Sequence, residues 1–176
     1  MTHPSEVIKY CPRCGSKRFP AVDFKSFKCE DCGFHFFINS AAAVAALIVN
    51  DKNELLLTYR AFEPCKGMLD LPGGFIDPEE AAEEALRREV KEELDLEVVE
   101  MRYLGSFPNE YIFSGYSVFT TDLGFICKVK DFSSISSSDD VAGYQFFAFK
   151  DIDYDAISSP SIRHLVKLYA QQFNVD

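Results

Sequence analysis

The chain has 176 residues, 47% hydrophobic and 26% charged, which suits one full-sized domain with a packed core plus a small appendage. Its formal net charge of −10 opposes nucleic-acid backbones and anionic membrane surfaces, so neither is a natural default partner. The longest apolar run, 41–49, is too short to cross a bilayer, and no apolar stretch follows basic residues at the N-terminus. Six cysteines in that context point to thiolates in a reducing compartment, and a cytoplasmic location is expected.

The first forty residues carry Cys11-Pro12-Arg13-Cys14-Gly15 and Cys29-Glu30-Asp31-Cys32-Gly33, two Cys-x-x-Cys knuckles fourteen residues apart. Four thiolates surround zinc tetrahedrally, and a two-residue gap lets each pair grip one ion within a tight turn. A closed four-cysteine site has no open position, so this zinc is expected to be structural, on Cys11, Cys14, Cys29 and Cys32. Between the knuckles, Phe19, Val22, Phe24 and Phe27 fit a short metal-dependent hairpin. The module, residues 1–38, resembles a zinc ribbon. Lys9, Arg13, Lys17, Arg18, Lys25 and Lys28 make this end locally basic, which keeps nucleic-acid contact open as the minority reading. His35 reads as a surface or packing residue, and Cys65 and Cys127 as packed or incidental thiols.

Residues 42–50 and 54–60 read as two strands joined by Asp51-Lys52-Asn53. Leu71-Pro72-Gly73-Gly74-Phe75-Ile76 reads as a loop whose backbone approaches a ligand closely. Asp77 as N-cap, Pro78 at the first position and Glu80 three residues after the cap predict a helix to about Leu94, interrupted by Asp95. Its inward stripe is Ala82, Leu86, Val90 and Leu94. Glu89, Glu92 and Glu93 share one face near the helix C-terminus, where they repel one another and oppose the dipole. That arrangement becomes favourable when a hard cation sits between the oxygens, and magnesium prefers such ligands. Arg88 is placed to orient one of these carboxylates, or a glutamate across the loop. A charge run alone more often marks a solvated face, but the glycine loop and fixed spacing favour the metal reading.

The segment from Gly74 to Leu96 resembles the signature of the Nudix hydrolases: Gly74, five residues, Glu80, seven residues, Arg88-Glu89, Val90, Lys91, Glu92-Glu93, Leu94, a position normally glycine, and Leu96. The single departure is Asp95 at the glycine position, and Asp tolerates the left-handed turn required there. The resemblance implies an α/β/α sandwich with a mixed sheet over residues 39–176. It also implies that Glu89, Glu92, Glu93 and the backbone carbonyl of Gly73 hold magnesium, or manganese, against a diphosphate. Glu93 or a carboxylate from a later loop would take a water's proton, and Glu80 with Arg88 would lock the loop on the helix.

Further along, 96–107, 116–121 and 125–130 alternate like strands, with a turn near Asp122-Leu123-Gly124. Residues 132–140 form a Ser- and Asp-rich loop, polar and expected to be mobile. In many Nudix proteins a loop here supplies one more carboxylate: Asp140 suits that role, its neighbour Asp139 is the rival, and a turn or cap aspartate is the alternative. Residues 143–149 read as the last strand and 161–173 as a closing helix.

The layout is similar to that of NADH pyrophosphatases, some of which remove NAD caps from RNA. Of their substrate-selecting patch this chain keeps Ser106, Pro108 and Ser114 and lacks the tryptophan and intervening prolines. Tyr111, Phe113 and Tyr116 either stack on a ring or are ordinary strand aromatics. The expected activity is magnesium-dependent hydrolysis of a diphosphate bond in a nucleoside diphosphate derivative such as NADH or ADP-ribose. Capped RNA, and a homodimer through the ribbon, stay open. The alternative is a nucleotide-sensing regulatory protein, against which the complete glutamate set argues.

Overall fold

The computed structural model describes residues 3–175, so residues 1, 2 and 176, at the outer ends of the two expected domains, lie outside the described part. The chain forms two compact units, Met1–Ala41 with Glu110–Thr120, and Ala42–Asn109 with Thr121–Asp176. Among the described residues no helix is long and apolar enough to cross a membrane.

The first unit holds a one-turn helix α1 (Pro4–Val7) and three short strands, β1 (Ala21–Asp23), β2 (Ser26–Lys28) and β3 (His35–Phe37), paired antiparallel in that order. The β1–β2 turn follows from Asp23, whose Oδ1 accepts the Lys25 amide and the Ser26 hydroxyl, each at 2.9 Å. Of the four apolar residues of the expected hairpin, Phe19 and Phe27 are buried in one cluster with Cys11 and Cys29 and stack at 5.3 Å. Val22 is exposed on β1, which presents no buried face in so small a unit, and Phe24 is exposed in the turn that follows. The Phe24 ring lies against His3 at 4.3 Å and Phe119 at 5.7 Å.

The second unit is built around β4 (Ala41–Ile48) and β5 (Glu54–Arg60), each buried on both faces. Val44, Ala46, Ile48 and Leu56 pack against α2 (Ala82–Leu94) through Ala85, Leu86, Val90 and Leu94. The alternate residues Ala45, Leu47, Leu55 and Leu57 pack against α3 (Pro160–Phe173) through Ile162, Leu165 and Val166. Strand periodicity thus places one helix on each face, the expected sandwich. Each fully buried leucine contributes roughly 1.5–3 kcal/mol, so the two layers rest on β4 and β5. The strands order as β4-β8-β7 and β6-β5-β9, with β6 (Leu69–Asp70), β7 (Val98–Phe113), β8 (Tyr116–Val129) and β9 (Val141–Ala148). β5 pairs antiparallel with β6 and β9, and a parallel bridge joins Leu69 to Ile157.

Three expectations need correction. α2 begins at Ala82, not after Asp77: Glu79 sits at φ 69°, which breaks the helix, and the Glu80 carboxylate is drawn to Arg88 while accepting the Asp77 amide at 3.0 Å. Residues 122–124 are not a turn. β8 runs through them because Asp122 is buried as acceptor of the Ser161 hydroxyl and Gly124 lets Leu165 pack close. The reversal lies instead at Ser114-Gly115, both at positive φ, the geometry of a two-residue hairpin turn. Finally, the 132–140 loop is tied down on the end of α2. Ser136 and Ser138 amides donate to the Leu94 and Glu93 carbonyls at 3.1 and 2.9 Å, and hydroxyls of Ser134 and Ser138 reach those of Asp95 and Glu92. Asp95 takes the left-handed conformation expected of it (φ 54°, ψ 30°), and its carboxylate pairs with Lys91.

Candidate active site

The loop between β6 and α2 rides on β4. Val44 and Ala46 amides donate to the Gly74 and Pro72 carbonyls at 2.8 and 2.7 Å, and the Ile76 amide to Ala42 at 3.0 Å. Gly73 stands at φ 145°, and a Cβ there would lie 2.0 Å from the Val44 carbonyl oxygen, so no side chain fits. At Gly74 a Cβ would come within 2.6 Å of the Glu89 carboxylate. Gly73 therefore lets the loop lie directly on β4, and Gly74 lets it lie directly against Glu89 of α2.

The Gly73 amide donates to Glu93 Oε2 at 2.9 Å. Glu93 is 3% exposed. Burial pushes its acid up to about 10, and the Asp140 carboxyl, within hydrogen-bonding reach, adds to the effect. Burial likewise raises Glu89, opposed by Arg88 and reinforced by the charges of Glu92 and Asp140. Glu92 lies at the exposed edge, its side chain 49% accessible.

Arg88 holds this side together. Its Nε and Nη2 grip both oxygens of Glu80 at 2.9 and 2.8 Å, its Nη1 reaches Glu89 at 2.7 Å and Glu92 at 3.2 Å, and Nη2 also donates to the Phe75 carbonyl. The Arg88 pair pulls the Glu80 acid down to about 2, helped by the Asp77 amide.

Glu93, Asp140 and Gly73 line a crevice of about 20 Å³, room for one water or one bare cation, together with Thr58, Arg60 and Asp70. Sequence reasoning missed Arg60 and Asp70. Arg60 Nη1 bonds Asp70 at 2.9 Å, Ser158 Oγ donates to the same carboxylate at 2.8 Å, and Asp70 in turn accepts the Leu71 amide at 2.9 Å. Burial raises the Asp70 acid despite these partners. No local motif marks the pair; an acid in a two-residue strand just before the glycine loop was the available signal. Buried Glu93 under a backbone amide, half-buried Glu89 and Asp70, and exposed Asp140 on a loop anchored to the same helix offer carboxylate oxygens, the donor type a hard cation prefers.

In the first unit Cys11, Cys14, Cys29 and Cys32 bring their sulfurs within 4.8 Å of one another, the closest contacts being Cys11–Cys32 at 3.7 Å and Cys14–Cys29 at 3.6 Å. A tetrahedron of Zn–S bonds near 2.3 Å has sulfur–sulfur edges of about 3.8 Å, close to these two contacts, so the cluster suits that ion. All six cysteines are free. His35 stands apart, its ring on Phe37 at 4.3 Å. Tyr111, Phe113 and Tyr116 belong to the first unit, where Tyr111 and Phe113 stack at 6.2 Å.

The chain is similar to "NAD-capped RNA hydrolase NudC" of Pseudomonas aeruginosa, 24% identical over 165 residues that cover 92% of this chain and 55% of that relative. It is 34% identical over 104 residues to "Nudix hydrolase 19, chloroplastic" of Arabidopsis thaliana, covering 58% of this chain and 24% of the other. The chain thus spans about half the length, or less, of these curated relatives. Among solved structures, a NUDIX hydrolase from Nitrosomonas europaea superposes with a TM-score of 0.73 at 20% identity, over 96% of this chain and 94% of that one. The NUDIX domain of Shewanella oneidensis NrtR, complexed with ADP ribose, gives a TM-score of 0.60 at 18% identity over 78% and 90%. These two likenesses speak for the fold. The description "NUDIX domain" fits residues 39–168, most of the chain, and the chain belongs to that family.

Proposed function

We propose that the chain is a divalent-metal-dependent pyrophosphohydrolase acting on a nucleoside diphosphate derivative of the NADH or ADP-ribose class, with magnesium as the metal. The observation that carries this reading is the pair of acids Glu93 and Asp140, facing one another at a crevice sized for one ion, beneath the Gly73 amide. Glu89, Glu92 and Glu93, with the Gly73 carbonyl, would hold the cation, and Arg88 sets their orientation. Bound there, magnesium would offset the charge of the diphosphate and activate a water. Asp140 or Glu93 would accept that water's proton, Asp140 from the exposed loop and Glu93 from beneath the Gly73 amide. Arg88, locked by Glu80, restrains Glu89 and Glu92. The NudC name of one relative speaks for NAD-type diphosphates, and the ADP-ribose complex of one structural neighbour for the same chemical class. Zinc on Cys11, Cys14, Cys29 and Cys32 would be structural.

The test is hydrolysis of NADH, ADP-ribose, nucleoside diphosphate sugars and dinucleoside polyphosphates with magnesium, native chain against Glu93→Gln. Turnover of one compound, reduced by about a hundredfold or more in the variant, is expected. Tight binding of those compounds by folded, metal-loaded protein without turnover would overturn hydrolysis in favour of a binding role.

A further inference from the structure

The first unit contains a cavity of about 370 Å³, far larger than the crevice at Glu93. Ligand sites for small organic molecules begin at roughly 300 Å³, so it exceeds what an inorganic anion needs. Three cations, Lys9, Lys17 and Arg18, face it with one carboxylate, Glu30, in a chain whose net charge is −10. Ile8 and Pro20 add apolar walls, and the buried Phe19–Phe27 stack lies beneath.

The walls are held in place. The Glu30 amide donates to the Arg18 carbonyl at 3.0 Å and the Lys28 amide to Pro20 at 3.2 Å, so the 17–20 segment is fastened to the second knuckle. The first knuckle fastens the other end, where the Cys11 amide donates to Ser16 at 2.9 Å. Arg18 is aimed by Asp31, to which it is paired. Lys9 rests on the Ser5 carbonyl at 3.3 Å and Lys17 over the Tyr10 ring at 5.9 Å. Neither lysine is ion-paired among the salt bridges of the described residues, so both can turn their charge to a ligand.

We infer that this ribbon cavity is a second site, separate in its residues from the acidic one, for a nucleotide unit: a phosphate held by Lys9, Lys17 and Arg18, with an attached ring against Ile8 and Pro20. Glu30 accepts from a donor on the ring or sugar. Lysine and arginine around a concave apolar floor supply both the charge and the desolvation that such a unit requires. The same chemistry comes from a free mononucleotide or from one residue of a single strand of RNA. The site stands independently of the proposed hydrolysis.

The experiment uses the full zinc-loaded chain. Binding of AMP and of a short end-labelled oligoadenylate is measured by amide chemical-shift mapping and fluorescence anisotropy. It is repeated with the double variant Lys9→Glu/Lys17→Glu and with Lys25→Glu/Lys28→Glu, exposed lysines of the same ribbon that do not line the cavity. Retained zinc content and amide dispersion verify that both variants fold. The cavity variant is expected to weaken binding at least about tenfold, the control variant to change it little, and shifts are expected to centre on Ile8 and residues 17–21. Loss for AMP and oligoadenylate alike identifies a mononucleotide site, and loss for the oligoadenylate alone identifies a strand site. Equal loss in both variants would reduce the effect to general charge attraction and overturn the proposal, as would failure of both probes to bind.

Discussion

Two regions of this molecule gather anionic groups, and they do so in opposite ways. The four cysteines converge because each knuckle is a tight local turn, and two of them, Cys11 and Cys29, are buried while Cys14 is exposed. The acids at the end of α2 converge only through the tertiary fold, which brings Gly73, Glu93 and Asp140 together across 67 positions of sequence, Gly73 to Asp140. There the charge is managed by retaining a proton on buried Glu93 and by lending Arg88 to Glu89 and Glu92. Soft ligands can be assembled by local chain geometry; hard ones need a folded domain to hold them against their repulsion.

The largest expected effect breaks that comparison at the cysteines. Stripping the metal with a strong chelator should unfold the first unit, since binding free energies of about 10–16 kcal/mol in small zinc modules are folding free energies. Hydrogen exchange would show Phe27 and Phe36 amides losing protection while those of β4 and β5 keep theirs. Protection retained throughout would mean that the ribbon does not depend on a metal. A smaller effect belongs to Gly73→Ala, which forces a Cβ onto the Val44 carbonyl. It should destabilise the second unit by about 3 kcal/mol or more, read as a lower urea midpoint. Gly74→Ala should cost less stability, because Glu89 can move, yet still impair turnover. An unchanged midpoint for Gly73→Ala would show that the loop is free to leave β4.

The smallest effect concerns Glu80, whose acid is lowered from 4.5 to about 2 by Arg88. A depressed folded-state pKa contributes stability that is present above about 4.5 and lost as pH falls toward 2. Melting temperatures of native and Glu80→Gln chains should therefore differ at neutral pH and converge across that window. Parallel curves would show that the ionisation of Glu80 adds nothing to stability.

The cysteine knuckles, β4, β5 and the spacing of Glu80, Arg88, Glu89, Glu92 and Glu93 were legible because each is a local pattern. The helix start was not, because Glu79 leaves the helical region where Glu80 turns to Arg88, a tertiary demand. The continuity of β8 depends on Ser161, 39 residues from Asp122, and no window of sequence contains both. Arg60 and Asp70 escaped for the same reason: their closeness to Glu93 and Asp140 is a property of β5, β6 and β9 lying side by side.

The serine-rich loop on the end of α2 has a consequence for competition among cations. Helices commonly satisfy their last carbonyls with lysine or arginine, and such a side chain would be a resident rival for the neighbouring carboxylates. Here amides and hydroxyls of 134–138 serve the carbonyls, while Lys91 is occupied by Asp95. Neutral dipoles terminate the helix without tethering a positive charge to its mouth, so among the described residues the cations near these acids are Arg88, held by Glu80, and Arg60, held by Asp70.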